Sequence, residues 1–133
     1  MQINPDKKEQ LIKYWQDSAE KDYGTMSNLM NSKDYHWALF IGHLVIEKYL
    51  KALFVKKNHK QAIFSHDLLR LAHEADLDLT EERKDWLEII TTFNINARYD
   101  NYKQRFYRLC TQEFSEKWVN RITMLKIWLT GQL

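Results

Sequence analysis

Apolar residues recur along most of this chain at intervals of three and four, the spacing that only a helix gathers onto one face. The first such stripe runs through Leu11, Trp15, Ala19, Met26, Leu29 and Met30. Asn4 followed by Pro5 predicts where it starts: Asn accepts from the free N–H groups of a first turn, and Pro needs no donor there. Asp6 and Glu9 then oppose the positive helix end. Asp22 falls on the stripe itself, so it is either partnered inside the bundle or stands where the stripe opens to solvent.

Asn31-Ser32-Lys33-Asp34 turns the chain into a second helix over about Tyr35 to Lys57, apolar around most of its circumference and therefore expected at the centre. Its one consistent polar line is His36, His43, Glu47 and Lys51, with Glu47 to Lys51 in the favourable i to i+4 order. A short third helix is predicted from a cap near Ser65, carrying Leu68, Leu69, Leu71, Ala72 and Ala75. Asp78 or Thr80 caps a fourth, with Trp86, Leu87, Ile90 and Phe93 inward. The pattern breaks over Ala97 to Tyr102, leaving room for a short helix over about Lys103 to Leu109. Thr111 caps the last helix, whose stripe is Phe114, Trp118, Ile122, Leu125 and Leu129. No alternating strand pattern, repeat or Gly/Ser linker competes, so the expectation is an all-α, up-and-down bundle of four to five helices forming one domain over residues 1–133.

Composition sharpens this picture. Three glycines and one proline in 133 residues leave few forced stops, and 14% aromatic residues let large rings build the core. The formal charge of +2 is too mild to argue nucleic-acid binding by itself, so the case rests on where the cations cluster. A lone Cys110 excludes an internal disulfide and leaves no cysteine cluster for zinc. No run approaches the ~18 apolar residues of a membrane span. The expected location is cytoplasmic.

Five stretches in order, namely Trp15, Ala19 and Asp22, then Ala38 through Ile41, then Glu47-Lys48-Tyr49-Leu50-Lys51-Ala52-Leu53, then Ser65-His66-Asp67-Leu68, then Ala97-Arg98-Tyr99, resemble the HEPN family over most of the chain. That resemblance implies a prokaryotic helical bundle that pairs as a homodimer, works beside a minimal nucleotidyltransferase in a toxin–antitoxin-like system, and contacts nucleotide or RNA. Many members are metal-independent ribonucleases that carry an Arg-x4-6-His motif. Here Arg98 matches the arginine, but Lys103, Gln104 and Arg105 occupy the positions where the histidine would fall. Metal-free RNA cleavage needs a group that moves a proton near neutral pH, and lysine is a poor substitute for imidazole. The expectation is binding without the chemistry of that motif, with no catalytic residue assigned and no cofactor or metal.

The run from Arg98 to Arg108 interleaves cations with rings, the mixture that grips phosphate while stacking bases. Arg98, Tyr99, Lys103 and Arg105 are the candidate ligand contacts, although Tyr99, Phe106 and Tyr107 could equally be core anchors. Asp22, Glu47 and Lys48 are candidates to join Arg98 along a polar cleft across the first two helices, or to form a structural ion network. Lys48, Lys51, Lys56, Lys57, His59 and Lys60 form the densest positive stretch, readable as a phosphate-binding patch or as a solvated helix end. His66 and His73 are too far apart on a helix to share a metal, and His66 is read as capping or packing. Two alternatives stay open: a ribonuclease built on Arg98 with Lys103 or Asp100, and a structural protein-interaction module. Met124, Ile127, Trp128 and Leu129 exceed what one helix face needs in a monomer, which favours pairing.

Overall fold

The central helix organises everything else. The computed structural model describes residues 2–133, apart from the Asp100 side chain. It contains α1 (Pro5–Asn31), α2 (Tyr35–Asn58), α3 (Leu68–Glu74), α4 (Glu81–Arg98), α5 (Asp100–Leu109) and α6 (Gln112–Gln132). α2 touches each of the other five. Its core residues Leu39, Val45, Ile46, Tyr49, Leu50 and Val55 are fully enclosed, as a helix apolar all round requires. Gly42 allows the closest approach: a Cβ there would lie 2.5 Å from Ile122 Cδ1 on α6 and 3.1 Å from Met26 Sδ on α1.

Capping sets most boundaries. The Asn4 side chain accepts from the Lys7 N–H at 2.8 Å, Thr80 Oγ1 from the Arg83 N–H at 3.2 Å, and Thr111 Oγ1 from the Phe114 N–H at 3.2 Å. With so few glycines, left-handed residues at or just beyond helix ends are Lys33, His59 and Asp76, positions where most chains place Gly. α3 starts later than expected, because Asp67 rather than Ser65 caps it; Ser65 Oγ instead accepts from the Asp67 N–H at 3.1 Å within the preceding loop.

Six helices form where the sequence pattern predicts four or five. Tyr99, in extended backbone, ends α4 and at once caps α5, and its carbonyl accepts from the N–H groups of Tyr102 and Lys103. α5 therefore begins at Asp100, three residues before the expected Lys103. Phe106 anchors it, 2% exposed and 5.6 Å from the Phe93 ring. At the other end of the core, Tyr49 donates to Glu20 of α1, whose carboxylate also meets Lys126 Nζ of α6 at 3.2 Å. The Tyr49 bond is the main reason Glu20 titrates below the usual carboxylate range. On α6, Leu129 is buried and Trp128 is half-buried under Arg83, so only Met124 and Ile127 of the expected surplus face outward.

Candidate functional site: the corner between α4 and α5

The break at Tyr99 turns one continuous stretch of sequence into a corner that projects side chains in two directions. Arg98 ends α4 and is exposed, its guanidinium carbon 5.7 Å from the centre of the Tyr99 ring. Tyr99, Tyr102 and Tyr107 are 53%, 44% and 64% exposed, and Arg105 and Arg108 are exposed beside them. Of the three rings that could have been core anchors, only Phe106 is one. Tyr107 points outward because it follows the buried Phe106 on α5, and neighbours on a helix are turned about 100° apart; Tyr99 stands outward from the extended backbone before that helix begins. Lys103 is half-buried and lines a cleft of about 310 Å³ with His36, Gln104 and Tyr107. In that cleft the His36 ring meets Tyr107 edge-on at 5.2 Å. Burial lowers the His36 pKa, and the Lys103 charge adds to the effect while Asp34 opposes it. The side chain of Asp100, a candidate for an altered catalytic set, lies outside the described residues.

A second constellation is built on α2 and the loop before α3. Glu47 on α2 is 4% exposed and serves as a hub. Its Oε2 accepts from Lys51 Nζ at 3.1 Å, and its Oε1 accepts from His66 Nδ1 at 2.7 Å. His43, fully buried one turn earlier, places Nε2 2.9 Å from the His66 carbonyl and 3.9 Å from Glu47. A carbonyl can only accept, so His43 Nε2 carries the proton and its buried Nδ1 is left without a partner among the described residues. Burial is the main cause that holds the His43 pKa down; the His66 carbonyl and Glu47 pull it up, while His66 and Arg98 push it lower. Lys51 Nζ also lies 5.1 Å from the Trp15 ring, a cation–π contact beside its ion pair with Glu47.

This arrangement divides the group expected across the first two helices. Asp22 does pair with Lys48, at 2.6 Å. Glu47 does not join them: neighbouring residues on a helix point about 100° apart, so Lys48 faces α1 while Glu47 faces the loop before α3. The dense basic run disperses for similar reasons. Lys51 turns inward to Glu47, Lys57 meets Asp76 at 3.2 Å, and Lys56 donates to the carbonyls of Gln132 and Leu133. These lysines therefore do not share one phosphate-binding face.

The residue that sequence reasoning undervalues is His66. Its side chain is 38% exposed, its Nδ1 donates to a buried carboxylate, and its Nε2 makes no hydrogen bond with the described residues. Scanning forward from Arg98 for an imidazole cannot find it, because it enters from the loop between α2 and α3. The signal is divided between the polar line of α2 and the Ser65-His66-Asp67 stretch, and it becomes one signal only when the two pack together.

Cys110 carries no such chemistry. It is 6% exposed, and burial pushes its thiol up to about 12, so the nucleophilic thiolate is scarce at neutral pH. Folded protein at pH 8 should resist iodoacetamide for hours, and protein in 6 M urea should label readily; equal labelling rates by mass spectrometry would refute this protection. Among the described residues, no helix is long and apolar enough to cross a membrane.

Comparison with known proteins agrees with the architecture. The crystal structure of TT1696 from Thermus thermophilus superposes with a TM-score of 0.79 at 19% sequence identity, covering 92% of this chain and 98% of that one. No curated protein matches. The model of the HEPN domain family matches residues 12–131, which include every helix that builds the Glu47 hub and the α4–α5 corner. This chain therefore belongs to the HEPN domain family.

Proposed function

We propose that this protein is a cytoplasmic binding module for RNA or a nucleotide, acting as a homodimer beside a nucleotidyltransferase-type partner, without an Arg-x4-6-His nuclease motif. The observation that carries the reading is the α4–α5 corner, where three outward tyrosines alternate with the cations Arg98, Arg105 and Arg108. Exposed rings are costly to keep in water unless something covers them, and a flexible single strand supplies both the π-faces and the phosphates to do so. Tyr99 beside Arg98 gives one such stacking and phosphate-gripping pair, and Tyr107 above the Lys103 cleft gives a second. Asp22 and Lys48, already paired with each other, serve this reading as supports of the α1–α2 packing rather than as contacts.

Fluorescence anisotropy with a labelled single-stranded RNA across a salt series tests the binding claim. Affinity should fall steeply as salt rises, and Arg98→Ala should reduce the slope of log K against log[salt] by about 0.7, the loss of one phosphate contact on a single strand. Tyr102→Ala should weaken binding by roughly 5- to 150-fold, corresponding to ~1–3 kcal/mol of stacking. Absence of binding at low salt, or affinity that neither substitution alters, would defeat the proposal.

A further inference from the structure

We infer that the groove between the start of α2 and α5 is a pocket for a terminal phosphate monoester, held by Lys33, Lys103 and Arg108 with His36 as a hydrogen-bonding contact. The inference deepens the binding reading above by naming the end group that the site selects; it rests on that reading for the strand and not for the phosphate.

Two cavities, of about 310 and 320 Å³, share His36 and Tyr107 on their walls and so make one groove. Lys103 lines the first cavity, and Lys33 and Arg108 line the second. The three cations arrive from two separate segments, the turn before α2 and α5, and no aspartate or glutamate is among the residues lining either cavity. Neither Lys33 nor Arg108 is ion-paired among the described residues, in a chain with 18 acidic side chains to offer. A groove lined by one sign of charge concentrates the opposite ion. His36 likewise has no hydrogen-bond partner among the described residues; its ring is steadied by the rings of Trp37 at 5.0 Å and Tyr107 at 5.2 Å, which leaves its nitrogens for a ligand.

A phosphodiester inside a strand carries one negative charge, which a single guanidinium satisfies. A terminal monoester carries about −1.5 to −2 near neutral pH and presents three strong acceptor oxygens. Three cations and a ring nitrogen match the second and exceed what the first needs. Tyr107 is 64% exposed and borders both cavities, so a strand stacked on the rings of the corner brings its end to the groove. Protons are linked to this binding. Burial is the main cause that lowers the His36 pKa, Asp34 opposes it and Lys103 adds to it. Lys33 and Arg108 are the other charges along the groove, and Tyr35, Tyr107 and Cys110 its other titratable groups. A bound dianion offsets the Lys103 charge and draws a proton onto His36, so affinity rises as pH falls from about 8 to about 7, above the second phosphate pKa of about 6.

The test compares one internally labelled single-stranded RNA carrying a 5′-hydroxyl, a 5′-phosphate or a 3′-phosphate end, bound to the full chain in a phosphate-free buffer. A phosphorylated form should bind about tenfold or more tighter than the hydroxyl form, and inorganic phosphate should erase that preference. His36→Gln and Lys33→Gln should each remove most of the preference while hydroxyl-ended RNA stays bound as before, and His36→Gln should also remove its dependence on pH. Ribose 5-phosphate alone, followed by amide NMR spectra, should shift the signals of Lys33, His36 and α5. A shift without any preference among the RNA ends would assign the pocket to small phosphate esters, and a shift without RNA binding would keep the pocket and remove the RNA reading. Equal affinity for all the RNA forms together with no shift, or a preference that survives both substitutions, would overturn the inference and leave the binding proposal standing.

Discussion

Replacing Glu47 with alanine is expected to destabilise the protein by about 3–5 kcal/mol, a large share of the ~5–15 kcal/mol that a domain of this size possesses. Among the described residues, Glu47 is the only carboxylate bonded to Lys51, which is 7% exposed, and it also holds His66. Removing it leaves an enclosed ammonium beside Trp15 with no opposite charge. The double replacement Glu47→Leu with Lys51→Met should recover most of the loss, since apolar residues of similar volume do not have to be desolvated as ions. Urea unfolding of the single and double variants measures this directly. A single variant within 1 kcal/mol of wild type, or a double variant no better than the single, would contradict the hub described above.

The second large effect is expected at Trp118. Its indole is 3% exposed, packs edge-on against Phe93 at 5.6 Å and near Phe114 at 6.4 Å, and is covered by the Arg121 guanidinium at 4.6 Å. Truncation to alanine removes about 3–5 kcal/mol through lost burial and the cavity left behind. Thermal denaturation should show a fall in Tm on the order of 10 °C or more. Met124→Ala, on the outward face of the same helix and 56% exposed, should stay within about 0.5 kcal/mol of wild type. Phe93 also supports Phe106, the anchor of α5, so Trp118→Ala should weaken RNA binding as well. Similar losses at Trp118 and Met124 would mean that α6 is not packed in this register.

The contrast between these two sites explains what can be read from the sequence. Trp118 lies on the stripe Phe114, Trp118, Ile122, Leu125 and Leu129, and every member is at least half-buried in the fold, because period and burial are the same information for an amphipathic helix. The caps Asn4, Thr80 and Thr111 are equally legible, since each acts on a residue three positions away. Arg98 and the rings after it stand out as a pattern, although the pattern does not say which ring turns inward; only the contact between Phe106 and Phe93 decides that. The partners of Glu47 are harder. Lys51 is local and visible, whereas His66 reaches Glu47 across a nineteen-residue separation and a loop with no period. Long-range pairing of polar groups leaves no mark in a one-dimensional pattern, and functional sites are commonly made of such pairs.

The proposal that the corner between α4 and α5 binds RNA is tested most directly by photocrosslinking. The full chain is irradiated with a single-stranded RNA containing 4-thiouridine, and the modified peptides are mapped. Adducts are expected on the peptides that carry Tyr99, Tyr102 and Tyr107, and high salt should suppress them. Adducts confined to α1 or α6, or none at an RNA concentration that saturates binding, would contradict an RNA-binding role for this corner.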